Sequence, residues 1–89
     1  MTKRIQPPRR YKNAAFQKAL GAHCKKLRIK AGYSIDRMYR EGECLGPGTI
    51  QRLETGSNDV HVSVLLRYAQ VLDIEPAKLL SFKFNWKLE

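Results

Sequence analysis

Ser34 to Gly56 reads SIDRMYREGECLGPGTIQRLETG, two short helical patterns around a glycine-punctuated turn. The first opens at Ser34, whose hydroxyl can accept from a first-turn amide, and runs through Met38 and Tyr39 until Gly42 and Cys44-Leu45-Gly46 break it. The second opens at Pro47, which suits a first helical position because its φ is already helical and the N–H it lacks would have no partner there. It continues through Thr49, Ile50, Gln51, Arg52, Leu53 and Glu54, with Ile50 and Leu53 on the inward face and Gly56 as its C-terminal glycine. Two such helices joined by a tight turn predict a helix-turn-helix.

The flanking chain reads as support. Asn13 is an N-cap for a helix from Ala14 to about Ala31, in which Phe16, Leu20, Cys24, Leu27 and Ala31 form one apolar stripe while Lys18, Lys25, Lys26 and Lys30 mostly face away. Cys24 reads as a small core hydrophobe rather than a redox or ligand group, and His23 as boundary packing. Ser57-Asn58-Asp59 is a polar loop of turn formers, with Asp59 expected to cap or brace it. A further helix is expected over Val62 to Leu72, burying Val62, Leu65, Leu66, Ala69 and Leu72, with Tyr68 in the core and its hydroxyl at the edge. A fifth starts at Pro76, and Leu79 and Leu80 close the bundle.

The period then changes. Phe82, Phe84, Trp86 and Leu88 alternate with Lys83, Asn85, Lys87 and Glu89, a period of two that argues for a β-strand. A lone strand leaves its backbone unpaired and its aromatics exposed, so it calls for the same strand of a second molecule and a homodimer. The other reading is that Phe82, Phe84 and Trp86 fold back as an irregular tail over the bundle. The expected organisation is all-α: a basic arm over 1–13, a five-helix bundle over 14–80, and a strand or tail over 81–89.

Eighty-nine residues make one small domain, and no apolar run approaches the roughly 18 residues of a membrane span. The basic start leads into prolines rather than an apolar stretch, unlike a signal peptide, and two cysteines with no histidine at ligand spacing fit reduced thiols; a cytoplasmic protein with no metal or cofactor is expected. Charge says more. The net charge is +9, yet residues 1–33 hold ten Lys and Arg and no acid, whereas residues 34–89 hold seven against eight acids. Such polarity suits a polyanion, most simply nucleic acid. Within the arm, Pro7-Pro8 disfavours helix; it either lies along DNA through residues such as Arg9 and Arg10 or is a terminus with incidental charge.

The pattern Gly32-Tyr33-Ser34, a short helix, a turn, and then Thr49-Ile50-Gln51-Arg52-Leu53-Glu54-Thr55-Gly56 resembles the repressor/Cro branch of helix-turn-helix proteins, the xenobiotic-response-element family of bacterial and phage regulators. The resemblance covers roughly residues 20–80, backed by Leu27-Arg28 and by Leu65-Leu66-Arg67-Tyr68-Ala69. It departs at Ile35, where the family often has a phosphate-touching Gln, and at Tyr39, where Ala is usual.

That resemblance implies double-stranded DNA as partner, with the start of the second motif helix in the major groove. It assigns base-facing places to Pro47, Gly48, Gln51 and Arg52, phosphate contacts to Ser34, Thr49, Thr55, Ser57 and Asn58, and a structural ion pair to Arg28 and Glu54. Chemistry then sorts these residues. Pro47 and Gly48 can offer only close approach; Arg52 can take guanine O6 and N7, and Gln51 adenine N6 and N7. The alternatives are that Gln51 and Arg52 touch phosphate or solvent, and that Arg28 is exposed.

No Ser-His-Asp or Cys-His set, phosphate loop or paired acids support an enzyme, and no sensor region indicates a small-molecule ligand. The main rival is a protein-interaction module, in which Ile35, Tyr39, Pro47 and Gly48 form an apolar patch where DNA would lie.

Overall fold

The computed structural model describes residues 13–85 and 87. Its helices are α1 (Ala14–Lys30), α2 (Ile35–Glu41), α3 (Pro47–Thr55) and α4 (Val62–Leu72), followed by a 3-10 helix (Pro76–Leu80). The fifth helix expected at Pro76 is therefore a single 3-10 turn. No helix among the described residues is long and apolar enough to cross a membrane. The arm with Arg9 and Arg10, together with Trp86 and Leu88, lies outside the described residues.

The boundaries follow the capping chemistry. The Asn13 side chain accepts from the Phe16 amide at 2.9 Å, and the Ser34 hydroxyl accepts from the Arg37 amide at 3.0 Å. Pro47 occupies the first turn of α3, and Gly56 ends it at φ 71° and ψ 26°, a left-handed cap in which a side chain would be strained.

The core is Leu20 and Cys24 of α1, Met38 of α2, Leu45 of the turn, Ile50 and Leu53 of α3, Tyr68, Ala69 and Leu72 of α4, and Leu79. Two expected members of the α4 stripe are not in it: Val62 is 80% exposed and Leu66 44%. The buried face instead steps through Tyr68, Ala69 and Leu72, flanked by Val64 and Leu65. Tyr68 is fully buried, and Leu66, two residues away and about 200° around the helix from it, falls on the outer side. Ala31, just past α1, and Leu80 are also exposed, so Leu79 alone of its pair closes the bundle.

No strand forms over residues 81–85. The Phe82 and Phe84 rings both lie against Phe16 of α1, at centroid distances of 5.6 Å and 5.0 Å, the second edge-on. Alternate residues share a face, as the period of two implies, but that face meets α1 of the same chain. His23 joins this corner, its ring 5.3 Å from Phe82 and its Nε2 N–H donating to the Lys78 carbonyl at 2.8 Å.

Cys24 and Cys44 are both free thiols, one buried and one exposed. Burial, and then the Glu54 charge, pushes the Cys24 thiol from its ordinary 9.0 up to about 12. A raised acid stays protonated longer in the folded chain than in the unfolded one. Its contribution is therefore complete below pH 9 and is lost as pH rises toward 12. Urea midpoints should fall across that window, and Cys24→Ala should flatten the fall. Under native conditions near pH 8, a thiol reagent should modify Cys44 alone; rapid labelling in a Cys44→Ser variant would contradict this packing.

Candidate nucleic-acid interface

The site is built around the seating of α3. Where α1 crosses it, Gly21 has no room for a side chain: a Cβ there would stand 2.3 Å from the Leu53 carbonyl oxygen and 2.6 Å from that of Glu54. A Cβ on Gly56 would likewise meet the Lys18 backbone at 2.7 Å. Two glycines thus bring the backbones of α1 and α3 into direct contact.

Beside that crossing lies a buried polar network. Arg28 Nε donates to Glu54 Oε2 at 2.7 Å and Nη2 to Oε1 at 3.0 Å, a two-pronged pair with both side chains almost wholly buried. The remaining arm, Nη1, donates to the Tyr33 carbonyl at 2.8 Å, tying in the turn before α2. From α4 the Tyr68 hydroxyl donates to Glu54 Oε2 at 2.6 Å, with the Cys24 carbonyl 2.9 Å away as a second acceptor. The hydrogen bond to Glu54 raises the Arg28 pKa despite burial, and burial followed by the same carboxylate pushes up that of Tyr68. Among the described residues no buried side-chain polar atom lacks a partner. Burying such a pair is costly, and this full satisfaction is what makes it tolerable. The expected Arg28–Glu54 pair is present, whereas the Tyr68 hydroxyl expected at the edge lies at its centre. Nothing in the period of α4 distinguishes a core tyrosine that uses its hydroxyl from one that does not.

On the outer side of α3, Pro47, Gln51 and Arg52 are exposed, and Gly48 and Thr49 half-buried. A cleft of about 480 Å³ between α1, α2 and α3 brings Lys25 together with Gly48, Gln51, Arg52 and Ser57. A second, of about 270 Å³, joins Thr49 and Arg52 to Asn58 and His61. Arg52 borders both. Lys25 had no role in the sequence reading, because its place on the polar face of α1 does not reveal that this face turns toward α3.

The phosphate candidates divide by what their hydroxyls are doing. Ser34 uses an oxygen lone pair for its cap, and its proton is not spent on that bond. Thr55 donates to the Gln51 carbonyl at 2.9 Å, so Ser57, 2.6 Å away, donates to Thr55. Asp59 accepts from the Gln17 side chain, which braces the loop on α1. On α2 the four charges pair off, Arg37 with Glu41 at 2.8 Å and Arg40 with Asp36 at 2.9 Å, and Arg37 also lies 3.9 Å above the Tyr33 ring. The unbalanced positive charge near α3 therefore comes from the α1 lysines and Arg52.

Neither the curated proteins nor the solved structures returned a match to the chain. The helix-turn-helix family model matches residues 25–79, from Lys25 of α1 to Leu79 of the 3-10 helix. With more than half of its length matched, and with the turn, α3 and its buried anchor all in place, the chain belongs to the repressor/Cro-like, xenobiotic-response-element family of helix-turn-helix proteins, a family of DNA-binding transcription regulators.

Proposed function

We propose that the protein is a cytoplasmic, homodimeric transcriptional repressor that reads double-stranded DNA by placing the first half of α3 in the major groove. The observation that carries this reading is the contrast between the two sides of α3. Its inner side is locked to α1 by backbone contact and by Arg28–Glu54, while Gln51 and Arg52 stand free on the outer side. A rigid helix with two exposed base-reading side chains is what direct readout needs: Arg52 for guanine and Gln51 for adenine, each pair contributing about 1–3 kcal/mol of discrimination. Pro47 and Gly48 allow close approach, and Ser34, Thr49, Ser57 and Asn58 are the proposed contacts to flanking phosphates, joined by Arg9 and Arg10 of the arm, which lie outside the described residues. Thr55 supports Ser57.

A two-fold pair of such domains would present two α3 helices to half-sites roughly 34 Å apart. Exposed Leu80 and the edges of Phe82 and Phe84 that Phe16 leaves half-buried are the surface proposed for that pairing, with Trp86 and Leu88, outside the described residues, as further candidates. Sedimentation equilibrium with and without duplex tests it; a monomer in both conditions would remove the dimer from the account.

The direct test of readout is enrichment of bound duplexes from a randomised pool. Recovery of a defined motif supports sequence-specific binding. Recovery of no motif, with steeply salt-dependent binding, would mean a non-specific binder. No binding near physiological salt would favour the protein-interaction reading, in which half-exposed Tyr39 and neighbouring Pro47 form the contact.

Lys25→Ala should weaken binding to all duplexes alike and flatten the log–log salt dependence by about 0.9, one phosphate contact. Titrations at several salt concentrations check this; an unchanged slope would place Lys25 away from the backbone.

A further inference from the structure

Gly48 lies in the first turn of α3, on the side that faces the groove in the proposed mode. Its backbone does not need glycine, since the only glycines with positive φ among the described residues are Gly32 and Gly56. Helix stability would favour alanine. The position is instead occupied by another side chain. A Cβ built on Gly48 would stand 3.2 Å from Arg52 Nη1, 3.8 Å from Cζ and 3.9 Å from Nη2. Residue 52 is one turn on, and helical side chains lean toward the N-terminus, so the guanidinium lies back along α3 in the space a side chain at 48 would take.

We propose that Gly48 is a positioning residue for Arg52: its bare Cα seats the guanidinium over the first turn of α3, so that Arg52 reads the base facing position 48. The proposal rests on the DNA-reading function above. The seat is poised for an outside acceptor. No described acid pairs with Arg52, and the positive end of the α3 dipole offers the cation nothing. Guanine O6 and N7 supply the missing acceptors. Gly48 and Arg52 line the same cleft beside α3, so a base edge entering it would meet the seated guanidinium.

The test uses the duplex most enriched by the wild-type protein from a randomised pool and a scrambled duplex, titrated with Gly48→Ala, Gly48→Leu, Arg52→Ala and the Gly48→Leu/Arg52→Ala pair. Thermal melting of each variant reports folding. Gly48→Leu should cut the preference for the enriched duplex by about tenfold or more, to the level of Arg52→Ala, and should add nothing in the Arg52→Ala background. Gly48→Ala should melt higher than the wild type and yet discriminate less well, a pair of opposite signs that a purely structural glycine does not give. Preference that survives Gly48→Leu overturns the proposal. So does an equal loss in the Arg52→Ala background, which would mean that Gly48 acts by its own close approach. A wild-type protein that enriches no duplex overturns the DNA-reading function and this proposal together, and is thereby distinct from either of those results.

Discussion

Arg28→Ala is expected to lower stability by about 3–5 kcal/mol, since it leaves the buried Glu54 carboxylate without its cationic partner. Domains of this size are stable by only about 5–15 kcal/mol, so the variant should be marginally folded at room temperature. Arg28→Lys should recover part of the loss. An ammonium restores the charge but cannot reach both carboxylate oxygens and the Tyr33 carbonyl as the three arms of the guanidinium do. Tyr68→Phe should cost less, about 1–3 kcal/mol, because it removes one neutral donor to Glu54. Urea unfolding of the four proteins gives the order directly. If Arg28→Ala unfolds within about 1 kcal/mol of the wild type, the pair is not the anchor described.

Gly21→Ala should destabilise by more than about 1–3 kcal/mol, the usual cost of overpacking, because the added methyl would meet backbone carbonyls rather than a side chain that can turn aside. The sign decides the matter. In an ordinary helix interior the same change stabilises by roughly 1 kcal/mol, so a rise in melting temperature would show that α1 and α3 are not in backbone contact. Because the contact seats α3, DNA affinity should fall as well, even at temperatures where the variant remains folded.

What the sequence made legible follows from how local each signal is. Helix ends at Asn13, Ser34, Pro47 and Gly56 were readable because capping depends on residues within one turn. The expectation that Arg28 meets Glu54 came from resemblance, and the structure places them together; periodicity by itself leaves both partners unassigned. The phase of α4 differs from expectation at Val62 and Leu66, since an apolar residue on a short helix can face either way, and the face that holds Tyr68, Ala69 and Leu72 is the buried one. Of the two readings of the C-terminal alternation, the structure shows the fold-back of Phe82 and Phe84 over the bundle, with no strand over residues 81–85. A period of two states that the residues share a face, and only the fold shows Phe16 waiting on α1. Lys25 and the Gly48–Arg52 seat were out of reach for the same reason, as both depend on where one helix lies relative to another or where a long side chain turns.

Fluorescence anisotropy of wild type and Arg52→Ala against the enriched and scrambled duplexes, at two salt concentrations, tests the central claim most directly. The account predicts that the wild type prefers the enriched duplex at both salts and that Arg52→Ala lowers that preference by about 1–3 kcal/mol with the protein still folded. An equal weakening on both duplexes would make Arg52 a phosphate contact and would contradict the placement of α3 as the element that reads sequence.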